Sequence, residues 1–152
     1  MTRTLEDLVP GQIFTSATYA VTPDEIKAFA ARWDPQHFHL DEDSAKDSFF
    51  GGLAASGWHT AAMTMRLMVD SEIGKLPLGI IGTGIESIKW HRPVRPGDQL
   101  RLTIEVLETR EMRSRPGLGL VRLRVVTADA VGEPVQTLET NILVPTRAGQ
   151  AA

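Results

Sequence analysis

The sequence predicts an α+β domain in which a mostly antiparallel sheet wraps around one apolar helix. Three observations carry this. Trp58–Val69 is apolar nearly all round, with Ala61, Ala62, Met63, Met65, Leu67, Met68 and Val69, the pattern of a helix enclosed by other structure. The last half alternates instead: Leu100, Leu102, Ile104 and Val106 stand between Gln99, Arg101, Thr103 and Glu105, and Val121, Leu123 and Val125 are interleaved with Arg122 and Arg124. Such period-2 runs are strands with one dry and one wet face. Finally, 152 residues with 42% hydrophobic and 23% charged side chains suit a single packed domain spanning 1–152, not two.

In chain order, Ile13–Thr18 reads as a first strand, set off by Pro10-Gly11. Thr22-Pro23-Asp24-Glu25 is a helix start: Thr22 can accept from the Glu25 N–H, Glu25 can reach back, and Pro23 suits the first helical position. Ile26, Phe29, Ala30 and Trp33 then form one apolar face, and Asp34-Pro35 ends the helix. A polar stretch to Ser48 has room for a short helix around Asp43–Asp47. A glycine-bearing loop, 49–57, leads into the apolar helix. Ile80–Trp90 is a further strand, with bends or bulges expected at Gly82 and Gly84. Leu138, Ile142 and Val144 mark the last strand, and Pro96-Gly97-Asp98, Pro116-Gly117 and Gly132-Glu133-Pro134 are turns. A sheet and helix of this kind leave apolar surface uncovered in a monomer, which dimerisation would bury.

Composition excludes several functions. With no cysteine there is no disulfide scaffold, thiol nucleophile or thiolate metal site. No run is long enough to span a membrane, and the N-terminus lacks a secretory pattern, so a soluble cytoplasmic protein is expected. The net charge of −3 divides into seven basic and twelve acidic residues up to Trp90, and nine and seven after it. Neither half carries a nucleic-acid footprint.

All nine aromatic residues precede residue 91, and the four histidines, His37, His39, His59 and His91, lie in or beside the same stretch. Within it, Asp34 and His39 are five residues apart. A turn can bring carboxylate and imidazole together to orient and deprotonate a water. As plain structure, Asp34 ends a helix and His39 is an ordinary loop residue, which is the commoner outcome for such a spacing. Ser56-Gly57 precedes the apolar helix, where free N–H groups can stabilise developing negative charge; as plain structure, Ser56 is an N-cap and Gly57 a packing residue. No third ligand accompanies His37 and His39, so no metal site is expected.

Taken together, Asp34-Pro35-Gln36-His37-Phe38-His39-Leu40-Asp41 resembles the hydratase motif Asp-x-Asn-Pro-x-His-x-Asp of the MaoC-like dehydratases, which include the (R)-specific enoyl-CoA hydratases. Gly52–Gly57 and then Pro93-Val94-Arg95-Pro96-Gly97-Asp98 follow in the family's order, and the likeness covers roughly residues 8–145. It departs where Gln36-His37 replaces Asn-Pro, and where Thr64-Met65-Arg66 stands in place of a helix serine that some members carry.

The resemblance implies a hot-dog fold, a homodimer, and reversible addition of water to a trans-2-enoyl-CoA, with the coenzyme A thioester as substrate and no cofactor. It implies that Asp34 and His39 activate water and that the Gly57 N–H binds the thioester oxygen. Phe38, Ser56 and Trp58 are the expected substrate-binding residues, with Phe49, Phe50, Met63, Met65 and Met68 as further acyl neighbours or ordinary core. Arg92, Arg95, Arg113 and Arg115 are candidates for the coenzyme A phosphates. Two alternatives remain on the same fold. A hot-dog thioesterase would generally need a carboxylate on or beside the central helix, which has none before Asp70. A non-catalytic acyl-CoA-binding module would not need the Asp/His pair.

Overall fold

The alternating residues of the C-terminal half form the inner face of one sheet. The structure, a computed structural model, describes residues 2–151. Its strands are β1 (Ile13–Thr15), β2 (Tyr19–Ala20), β3 (Ile81–Trp90), β4 (Gln99–Glu111), β5 (Leu118–Ala128) and β6 (Pro134–Pro145). They are ordered β1-β4-β5-β6-β3, with β2 also on β4, and every pairing is antiparallel. Leu100, Leu102, Ile104, Val106, Val121, Leu123 and Val125 are all fully buried, so the period-2 reading holds residue by residue. Each such side chain contributes about 1.5–3 kcal/mol through burial.

The helices are α1 (Pro23–Trp33), α2 (His37–Leu40), α3 (Glu42–Lys46), α4 (Gly57–Asp70) and α5 (Arg147–Ala151). The sheet curves about α4, whose Met63, Leu67 and Met68 enter the core. This is the hot-dog arrangement. None of the helices is long and apolar enough to cross a membrane, among the described residues.

Four local expectations change. The first strand is short because Ser16 leaves it: its hydroxyl accepts from the Leu102 N–H at 2.9 Å while its own N–H bonds the Leu102 carbonyl. Thr22 caps α1 through the Glu25 N–H at 3.3 Å, but the Glu25 carboxylate accepts from the Tyr19 hydroxyl rather than turning back to Thr22. Trp33 is not on the buried face of α1; it is 65% exposed, beside the Arg32 guanidinium. And α4 is enclosed on one side only, since Trp58, Met65 and Val69 remain exposed. Strand β3 does carry register shifts at Gly82/Gly84 and Ile85/Ser87, as the two glycines suggest.

Candidate active site

The site starts where α1 stops. Asp34 is its C-cap, and its N–H still bonds the Ala30 carbonyl at 2.9 Å. Pro35 has no N–H to continue the helix. The chain turns, the Gln36 N–H bonds the Asp34 carbonyl at 2.8 Å, and α2 begins at His37. The polar sequence here gives no periodic signal for this short helix. The helix places His39 back over Asp34, with 3.3 Å between His39 Nε2 and Asp34 Oδ2. The two side chains are 5% and 19% exposed respectively.

Hydrogen bonds determine which atoms are available. His39 Nδ1 lies 2.6 Å from the Ala54 carbonyl oxygen, which can only accept. Nδ1 therefore carries a proton, and in the neutral ring Nε2 is the basic nitrogen. The Ala54 N–H returns a bond to the Phe38 carbonyl at 3.2 Å, strapping α2 to the segment before α4. Asp34 Oδ1 accepts from the Gln36 side-chain amide at 2.7 Å. Burial pushes the Asp34 carboxyl up, but the Gln36 hydrogen bond, the nearby Ser56 hydroxyl and His39 outweigh it and hold it below the ordinary carboxylate range. Asp34 is therefore a carboxylate at neutral pH.

The opposite wall is the start of α4. Ser56 is fully buried and caps the helix, accepting from the Trp58 N–H at 3.3 Å. Gly57 opens the helix, and its N–H is one of the first-turn donors that no helical carbonyl accepts. A Cβ on Gly57 would lie 2.6–2.9 Å from three carbons of the Trp90 indole. Glycine is needed here because an aromatic ring rests on its Cα.

Between the walls is a cavity of about 390 Å³, lined by Gln36, Phe38, His39, Phe50, Gly57 and Trp90 among others. Phe38, Phe50 and His39 form one aromatic cluster, with centroids 4.6 to 5.9 Å apart. His39, Gly57 and Phe38 thus line one cavity, and Asp34 joins them through His39. Ser56 lies behind the wall, and Trp58 points away, 60% exposed and edge-on to Trp90 at 5.3 Å. His37 is exposed and 3.2 Å from the Ser44 hydroxyl, outside the cavity. His59 is buried, stacked on Phe29 at 4.7 Å.

Two of the four candidate arginines are occupied internally. Arg92 pairs with Asp98 at 3.0 Å and Asp129 at 2.7 Å. Arg95 donates to the carbonyls of Phe50, Gly52 and Leu53, fastening the loop above the cavity. Trp90, Thr60 and His91 line the cavity without having been foreseen as site residues. The glycine preceding the helix was a signal for some close neighbour, but the sequence does not say which.

Residues 8–128 match the family model of the MaoC like domain. The chain is 33% identical over 119 residues to the uncharacterised protein YdeM of Bacillus subtilis (strain 168), covering 78% of this chain and 84% of that one. Its fold matches the crystal structure of a MaoC-like dehydratase from Rhodospirillum rubrum at TM-score 0.90 and 48% identity, over 95% of this chain and 98% of that one. An (R)-hydratase from A. caviae involved in PHA biosynthesis matches at TM-score 0.74 and 26% identity, over 92% and 99%.

Proposed function

Since the chain belongs to the MaoC-like dehydratase family, we propose that it adds water reversibly to a trans-2-enoyl thioester of coenzyme A. The single observation carrying this reading is the 3.3 Å approach of His39 Nε2 to the Asp34 carboxylate beside a cavity that His39 and Gly57, the first residue of α4, both line. The named relatives, a dehydratase and an (R)-hydratase, support the same chemistry.

With His39 neutral, Nε2 and Asp34 Oδ2 are two acceptors at one point. A water donating to both presents its oxygen to the β-carbon. As the C–O bond forms, one water O–H bond breaks and the pair takes the proton. The pair then delivers a proton to the α-carbon, so hydroxyl and hydrogen are added from one side. Meanwhile negative charge collects on the thioester oxygen. The Gly57 N–H, at the positive end of α4, meets it; removing one such donor typically costs about 3–4 kcal/mol in the transition state. Central helix α4 has no carboxylate before Asp70, which is bound to Arg66 at 2.7 Å, so a thioesterase has no comparable support.

As part of this reading, the acyl chain is assigned to a separate apolar space. A second cavity, of about 320 Å³, lies between α4 and strands β3 and β6, walled by Met65, Met68, Ile85, Leu138 and Ile142. A homodimer fits the same region. Among the described residues, strand β3 ends the sheet with one edge unpaired, and Ile81, Ile85, Met65 and Val69 leave apolar surface around it. The test is loss of enoyl-thioester absorbance over trans-2-enoyl-CoAs of increasing chain length. Hydration with a chain-length optimum is expected. No hydration of any member, with hydrolysis of saturated acyl-CoA instead, would replace this reading by the thioesterase.

A further inference from the structure

A chain of buried polar side chains runs behind the cavity. Gln136 is fully buried on β6, opposite Trp90 of β3 in the sheet register. Its carbonyl oxygen accepts from the Trp90 indole N–H at 2.9 Å. Its amide nitrogen donates to the Thr64 hydroxyl at 3.0 Å. Thr64 in turn is 2.7 Å from the Thr127 hydroxyl on β5. Thr64 and Thr127 are as deeply buried as Gln136. The two ends of the Gln136 amide fix its orientation, since only its oxygen can accept from the indole and only its nitrogen can donate onward.

Desolvating an amide and two hydroxyls is unfavourable unless each is bonded, and an apolar trio would fill the space without that requirement. What the polar chain adds is fixed geometry. It holds α4 at two points: Thr64 directly, and Gly57 through the Trp90 ring that rests on its Cα at sub-contact range for any side chain. Seven residues separate them, so about 10 Å of helix is indexed against the sheet.

We propose that Gln136 is a positioning residue for the reaction: through Trp90 and Thr64 it sets where the Gly57 N–H stands relative to His39 across the cavity. Gln136 does not touch the substrate cavity, and its effect passes through the indole. This rests on the hydratase reading for its catalytic consequence, but the structural link from Gln136 to Gly57 does not.

The test compares Gln136→Met, Trp90→Phe and the double variant with the wild type, using crotonyl-CoA hydration, thermal melting and the Gly57 amide resonance in a proton–nitrogen NMR spectrum. Expected are a fall in kcat of about tenfold or more in each single variant, KM within about threefold, and a shifted Gly57 resonance. The double variant should be no slower than about twofold below the worse single, because both remove the same link. Unchanged kcat with a lowered melting temperature would reduce Gln136 to a stabilising residue and overturn the proposal, as would an unmoved Gly57 resonance. If Gln136→Met does not fold, Thr64→Val, which keeps the side chain's shape and loses only the hydroxyl that accepts from Gln136, decides by the same measures. Should the wild type hydrate no trans-2-enoyl-CoA of the chain-length series while the Gly57 resonance still shifts, the hydratase reading fails and the positioning link stands.

Discussion

The two walls of the cavity are built in opposite ways. The Asp34–His39 wall is local: five residues of separation, a proline stop, one turn, and a short helix that folds the imidazole back over the carboxylate. The Gly57 wall is assembled from distant chain: Trp90 of β3 lies on Gly57, Gln136 of β6 holds Trp90, and Arg95 reaches back to the loop before α4. The proton-transfer groups thus come from one short stretch of chain, with the imidazole oriented by the Ala54 carbonyl of the segment before α4. The placement of a single backbone N–H takes much of the sheet.

The contrast is sharpest where a change removes chemistry without disturbing packing. Asp34→Asn and His39→Gln should lower kcat for enoyl-CoA hydration by about 10²–10⁴-fold with the far wall intact, read from initial rates. Comparable rates to wild type would detach the local wall from catalysis. Gly57→Ala acts on the other wall, pressing a methyl group into the Trp90 indole at 2.6–2.9 Å. A fall in kcat of about 10- to 100-fold and a stability loss of about 1–3 kcal/mol are expected, from kinetics and denaturant unfolding.

Arg95→Met tests whether the long-range struts matter apart from chemistry. It leaves the carbonyls of Gly52 and Leu53 without their guanidinium donor. A loss of about 1–3 kcal/mol is expected, with faster hydrogen exchange at Ala54 and Ala55.

The smallest effect concerns His59, buried behind the cavity with Nδ1 unpartnered. Burial holds this imidazole below its ordinary value of 6.5, while Glu25 pulls it up and His39 down. The unfolded chain therefore takes up this proton first as pH falls. Stability should drop from about pH 6.5 downward, and thermal melting of His59→Phe should lose part of that slope.

Legibility in the sequence follows the same division. Strand parity predicts the buried set on β4, β5 and β6, and the Asp-x-x-x-x-His spacing allows a meeting of the two side chains without requiring it, because both depend on near neighbours. Trp33 and Trp58 were misplaced because apolar spacing identifies a helix face but not whether anything covers it. Trp90 and Gln136 depend on register between two strands and on the bulges in β3. One signal was present: Gln136 and Thr127 share the parity of Leu138 and Val125, so each is a polar residue at an inward position. The resemblance to MaoC-like dehydratases supplied the roles that spacing alone left open.

The central claim is that one loop-borne pair handles both the water and the returning proton. Hydration of crotonyl-CoA in heavy water tests it most directly, with the product's vicinal proton coupling read by NMR. A single diastereomer, with deuterium at the α-carbon and hydroxyl at the β-carbon on the same face, is predicted. Addition from opposite faces, or an equal mixture, would contradict it.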